Sequence, residues 1–134
     1  MNTIQFDSGI QEFSVNGNGV LRFHPGDPNL YARFFEAGDK IREISESLSQ
    51  LSGENPVELM EKTDRKLKHI LNWVFGPPND FETILGGVNL LAVAGNGQQV
   101  IANFLEALEP VLTEGARKCA EDQVNAVKAQ NHGE

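Results

Sequence analysis

The sequence predicts an α+β fold, mostly α: a small N-terminal antiparallel β-hairpin or three-stranded sheet followed by a bundle of about four helices. Three observations predict it. Residues 3 to 24 alternate apolar with polar around Asn16-Gly17-Asn18-Gly19, the period and turn of half-buried strands. From Pro28 onward the apolar residues recur every three or four positions, the period of a helix face. Between these runs stand glycine, proline and capping residues that stop and restart helices. At 134 residues the chain reads as one domain, with a hairpin module over 1–24, a helical body over 27–112, and a C-terminal helix and flexible tail over 113–134.

Thr3-Ile4-Gln5-Phe6, Glu12-Phe13-Ser14-Val15 and Val20-Leu21-Arg22-Phe23 each read as a strand, giving two or three strands in all. The Asn/Gly turn is read as a hairpin because those residues tolerate positive φ. It lacks the lysine and the glycine spacing of a phosphate-binding loop. Asp27 then supplies an N-cap and Pro28 an N1 residue for a helix running to about Leu51. Its seam is Phe34, Ala37, Ile41, Ile44, Leu48 and Leu51, widened near the start by Tyr31 and Phe35. Glu36 and Lys40 form an i,i+4 pair on the polar side.

Ser52-Gly53-Glu54 breaks that helix, and Asn55-Pro56 caps the next. Met60, Thr63, Leu67, Ile70 and Val74 form its seam, broadened by Leu59 and Leu71. Glu58→Lys62, Glu61→Arg65 and Asp64→Lys68 are read as three ion pairs on its solvent-exposed face. The run Trp73-Val74-Phe75-Gly76-Pro77-Pro78-Asn79-Asp80-Phe81 is read as a packed corner, because Gly76 can take a left-handed C′ conformation and the prolines forbid continuation.

Asn79 or Asp80 caps a short helix through Leu85 that ends at Gly86-Gly87. Val88 to Ala94, apolar nearly all round, reads as a buried segment and as helical rather than extended. Gly95-Asn96-Gly97 turns the chain into a long helix from Gln98 to about Lys128, faced by Val100, Ile101, Phe104, Leu105, Leu108, Val111 and Leu112. Pro110 is expected to kink it or divide it. Beyond Gly115 the apolar face thins to small residues, and Ala129 to Glu134 are expected to fray. A frayed terminus and an arm that meets a partner both fit that pattern.

The net charge of −8 and a pI near 4.8 exclude an electrostatic grip on nucleic acid or an anionic membrane. The single Cys119 excludes an internal disulfide and fits a reducing cytoplasm, and no signal peptide or membrane-spanning run is visible. No metal or cofactor is expected. Glu36, Asp39 and Glu43 have Lys40 and Arg42 interleaved among them, as on a solvated face. His24, His69 and His132 are far apart in the sequence, and Cys119 has no adjacent activator, so no catalytic constellation is nominated.

One family shares this order of elements. A hairpin module, a helix opened by Asp27-Pro28-Asn29-Leu30-Tyr31, a Val74-Phe75-Gly76 turn ahead of Phe81, and Phe104-Leu105-Glu106-Ala107-Leu108-Glu109-Pro110 succeed one another. In this the chain resembles the tail assembly chaperones of long-tailed phages and related prophages of Gram-positive bacteria. The resemblance covers most of residues 1 to 112 through short motifs. It implies a non-enzymatic protein that binds the tape measure protein, keeps it soluble and helps tail tube subunits polymerise around it. It further implies homo-oligomers, action in the host cytoplasm and absence from the finished virion. Family members are often made in two lengths by a frameshift, which would join the longer form's extension in the region from Gly115 to Glu134.

A client of that kind exposes apolar helical faces that a chaperone covers with its own. The candidate contact surfaces are the Phe34/Ile41/Leu48 seam, the Trp73/Phe75/Phe81 corner and the Phe104/Leu108 stripe, of which at least two must serve the protein's own core. The competing reading is an acidic protein-binding adaptor or nucleic-acid-mimicking inhibitor of a phage or mobile element, against which the interleaved basic residues count.

Overall fold

A computed structural model describes residues 1–50 and 55–132 of the chain, the side chains at 45, 47–50, 122, 123 and 125–132 left aside. The architecture is α+β, with an N-terminal two-stranded antiparallel sheet followed by four helices. These are β1 (Gln11–Val15), β2 (Gly19–Phe23), α1 (Pro28–Gln50), α2 (Pro56–Phe75), α3 (Phe81–Ile84) and α4 (Val100–His132).

The hairpin forms where the alternation predicts it, with Phe13 opposite Leu21 and Glu12 opposite Arg22. Asn16 and Gly17 both take positive φ, 51° and 72°, and Asn18 N–H closes the turn on Val15 C=O at 3.0 Å. Leu21 and Phe23 point into the core while Val20 and Arg22 face out. The predicted third strand does not form. Residues 1–10 carry no regular structure, and Ile4 and Phe6 are 87 % and 80 % exposed.

The helices α1 and α2 begin at their predicted caps. Asp27 Oδ1 accepts from Asn29 N–H at 3.0 Å, and Asn55 Oδ1 accepts from Val57 N–H at 2.9 Å. The α1 seam meets α2 through Phe34, Ala37, Ile41 and Ile44, but the face is rotated from the predicted one. Leu30 is 2 % exposed, while Phe35 is 81 % exposed and does not widen the seam. Tyr31 turns sideways to another contact, described below. The Leu48 side chain, Leu51 and the Ser52-Gly53-Glu54 break lie outside the described residues.

The core gathers on Phe75, the last residue of α2. Its ring lies 5.1 Å from Phe23, 5.4 Å from Phe34, 5.3 Å from Phe81 and 6.5 Å from Phe104, so one side chain joins β2, α1, α3 and α4. The predicted corner is therefore real, with one correction. Trp73 points the other way, is 41 % exposed, and carries the Lys40 ammonium 4.6 Å above its ring. Lys40 thus meets an indole rather than Glu36. Gly76 ends α2 at φ 77°, ψ 168°, positive in φ as expected but extended rather than left-handed helical. Arg33 Nε donates to Val74 C=O at 2.6 Å, satisfying one of the helix's terminal carbonyls.

Asp80, not Asn79, caps α3, accepting from Glu82 N–H. Asn79 instead behaves as one residue of a missing strand. It is buried at 8 %, its Oδ1 accepts from Arg22 N–H at 2.8 Å, and its Nδ2 donates to Arg22 C=O at 2.7 Å and to Gly76 C=O at 2.9 Å. The amide thereby seals the outer edge of β2. Asn79→Ala leaves both Arg22 backbone groups unpaired, and is expected to lower stability by about 1–3 kcal/mol. Urea unfolding followed by circular dichroism measures it.

Two readings of α2 and its surroundings are overturned. Glu58–Lys62 and Glu61–Arg65 form exposed pairs as predicted, but Asp64 and Lys68 are buried, their side chains only 10 % and 5 % exposed. Lys68 Nζ lies 2.8 Å from Asp64 and 2.7 Å from Glu82 of α3. Asp64 Oδ1 also accepts from Leu90 N–H at 2.8 Å. Val88 to Ala94 is correspondingly not a helix. Its Leu90 and Ala92 carbonyls accept from Ile101 and Val100 N–H, both at 2.9 Å, capping the first turn of α4. With Leu90 N–H given to Asp64 and these carbonyls given to α4, the segment's backbone bonds run to other elements instead of along a helix of its own. Only Leu90 is fully buried there, whereas Val93 is largely exposed.

The last helix starts at Val100, two residues later than predicted, and continues through Pro110 without division. Its helical assignment reaches His132, into the segment expected to fray, and residues 133–134 lie outside the description. Leu108 is buried, Val100, Ile101, Phe104, Val111 and Leu112 are half-buried, and Leu105 is exposed. None of the described helices is long and apolar enough to cross a membrane.

Candidate functional site

The side chains that could meet a partner follow from what the core leaves over. Phe75 and Phe81, 6 % and 0 % exposed, are enclosed, so these two residues of the predicted corner belong to the core. Phe34 and Ile41 pack on the same cluster and are half-buried. Trp73 remains at the surface under Lys40, on the far side of α2 from the two phenylalanines. Leu108 is as buried as Phe75, and what the Phe104/Leu108 stripe leaves accessible is the half-buried Phe104, beside the exposed Ala107.

That stripe forms one wall of an apolar groove of about 220 Å³. Phe104, Ala107, Leu108 and Val111 of α4 face Phe13, Val15, Leu21 and Phe23 of the hairpin. The wall spacing on α4, three and four residues apart, is the same periodicity that marks the helix in the sequence. Phe104 closes the floor, its ring 5.5 Å from Phe81. The hairpin wall is not nominated by the sequence. Its alternation marks Phe13 and Val15 as inward, but only the fold shows that α4 stands off from them and leaves the space unfilled.

Two contacts hold α4 at this stand-off. At Gly115 its backbone crosses the turn after β2 so closely that a Cβ would lie 2.4 Å from Pro25 O. The Tyr31 hydroxyl lies 2.6 Å from both Pro25 O and Leu112 O, and its single proton serves one of them at a time. Burial, and then the neighbouring Cys119, push the Tyr31 phenol up from its ordinary value, so it stays a neutral donor. Below the crossing, the Phe104 ring of α4 packs on Phe75 and Phe81, at 6.5 and 5.5 Å.

A second concavity, of about 210 Å³, opens at the other end of the sheet among Ile10, Arg22, His24, Asp27, Arg33, Pro77 and Pro78. Several of its polar groups are engaged. Arg22 pairs with Glu12, Arg33 bonds Val74 C=O, Asp27 caps α1, and His24 Nδ1 accepts from Gly26 N–H at 3.0 Å. That last bond places the proton of a neutral His24 on Nε2. Among the described residues no three His, Cys, Asp or Glu are placed to share a metal ion.

Comparison with family models, with curated proteins and with solved structures finds no match to this chain.

Proposed function

We propose that the protein is a phage tail assembly chaperone that binds the tape measure protein, keeps it soluble and assists polymerisation of the tail tube around it. The observation that carries this reading is the open apolar groove between the hairpin and α4. Its walls, a strand pair and a helix face, offer room for an anchoring apolar side chain of a client's amphipathic helix among Phe13, Val15, Phe104 and Val111. The order of elements that resembles this family supports the same role.

The exterior suits a protein that coats a client in several copies. The net charge is −8, and repulsion between acidic surfaces keeps such assemblies from precipitating. Exposed carboxylates alternate with cations in the pairs Glu12–Arg22, Asp39–Arg42, Glu58–Lys62, Glu61–Arg65 and Glu114–Arg117–Glu121. That interleaving counts against a continuous phosphate-like face and so against the nucleic-acid mimic.

The test is co-expression with the tape measure protein of the same phage or prophage genome, followed by size-exclusion chromatography with light scattering. Co-elution of the two, with the tape measure insoluble when made alone, is the expected result. Ala107→Glu places a charge at the mouth of the groove on an exposed position, and is expected to abolish co-elution while the melting curve stays unchanged. A tape measure protein that behaves identically with and without this partner would sink the reading.

A further inference from the structure

We propose that the N-terminal arm of one copy pairs as a third strand with the open edge of β1 in a second copy. The two edges of the hairpin differ. Arg22 directs its N–H and C=O to Asn79 and not to β1, which makes Glu12–Arg22 a non-hydrogen-bonded pair of the ladder. Alternation then makes Ser14–Val20 another. The backbone groups of Glu12 and Ser14 therefore point outward from β1, where no described residue pairs with them. The β2 edge is covered by Asn79 and by α3, whose Ile84 Cα would lie 3.0 Å from a Cβ at Gly19. The sheet thus has one sealed edge and one open edge, and open edges are templates for another strand.

The same chain carries a strand with nowhere to pair. Thr3-Ile4-Gln5-Phe6 has the alternation and β-branched or aromatic content of a strand, yet it stands free in the structure with Ile4 and Phe6 exposed. Its own β1 edge is denied to it by the residues between. Asp7 Oδ1 accepts from Gly9 N–H at 2.9 Å, fixing a turn. Gly9 lies on the His24 imidazole, so near that a Cβ would meet Nε2 at 2.5 Å. Ile10 lines the concavity with Arg22, Pro77 and Pro78. These contacts hold the chain on the β2 side of the sheet end, away from the β1 edge.

A second copy satisfies both halves. Added beside β1, the arm brings Ile4 and Phe6 onto the face that carries Phe13 and Val15, which widens the apolar floor of the groove. In either strand direction, setting Gln5 opposite Ser14 does this and aligns Ile4 and Phe6 with Phe13 and Val15. Exchange of arms between identical chains closes a pair or propagates an array without any new fold. The proposal concerns the protein alone, so its outcome is independent of whether a tape measure protein binds.

Light scattering of the purified full chain across a range of concentrations tests it. The wild-type mass is expected to rise to multiples of 14.7 kDa. Ile4→Asp with Phe6→Asp removes the arm's apolar face at two exposed positions. Separately, Ser14→Pro removes an outward N–H without touching the ladder to β2. Each is expected to return the mass to that of a single chain with an unchanged circular dichroism spectrum. On a Cys119→Ser background, Gln5→Cys mixed with Ser14→Cys is expected to form a disulfide between copies. A wild type that stays at single-chain mass, an oligomer that survives either variant, or no such crosslink overturns the proposal.

Discussion

Phe75→Ala is expected to lower the stability of the folded chain by about 3–5 kcal/mol, the range for deleting a buried phenylalanine. Phe75 sits at the upper end because its ring is shared. Phe23, Phe34, Phe81 and Phe104 all lie within 6.5 Å of it, and four other elements meet α2 there. Such ring pairs contribute about 0.5–1.5 kcal/mol each beyond the area they bury. The neighbours cannot collapse into the space without moving the hairpin, α1 or α4 as a unit. Trp73→Ala, two residues away, is the matched control. Its half-exposed ring contacts Lys40, and its loss is expected to cost less than half as much. Urea unfolding of both variants, monitored by circular dichroism, decides the matter. A Phe75→Ala loss below about 1 kcal/mol would show that the aromatic cluster does not organise the core.

Lys68→Met is expected to be comparably damaging, at about 3–5 kcal/mol, because it strands the buried Asp64 carboxylate without a counter-charge. Asp64 would keep only the Leu90 amide, and Glu82 would lose its tie to α2. The segment 88–94 and the start of α4 hang on that amide, so the hydrogen-exchange protection of Val100 and Ile101 is expected to fall first.

The same lysine predicts a pH dependence. Burial alone would push Lys68 down, but its hydrogen bonds to Asp64 and Glu82 outweigh burial and hold it above the usual lysine value. A lysine raised in the folded state is protonated more tightly there than in the unfolded chain. Its contribution is therefore complete below the usual lysine value and is lost as pH rises through the folded one. The urea midpoint of the wild type is expected to drop in that alkaline window. In Lys68→Met the lysine's share of this drop is expected to vanish, leaving the smaller share from Tyr31, whose phenol is raised by burial, at lower overall stability.

Several elements are legible in the sequence because their signals are local. Asp27-Pro28 and Asn55-Pro56 start helices through hydrogen bonds spanning two or three residues, and Asn16-Gly17 turns a hairpin through its own dihedrals. Asp80 caps α3 in the same way. The groove is half legible. The α4 wall, Phe104 and Leu108, declares itself by helical spacing, whereas the hairpin wall becomes a wall only once α4 is held away by Gly115 and Tyr31.

The order of elements, their caps and the residues that alternate are thus properties of the chain read alone. The remaining features belong to the folded molecule, because the groups that create them lie far apart along the chain. Asp64 and Lys68 fit the i,i+4 spacing of a solvent pair, and only Glu82 and Leu90, arriving from other segments, turn them into a buried one. Asn79 meets Arg22 across 57 residues, sealing an edge that no local pattern marks. Thr3–Phe6 has every local property of a strand and remains unpaired, because a strand is completed by a neighbour and its neighbour's edge lies out of reach.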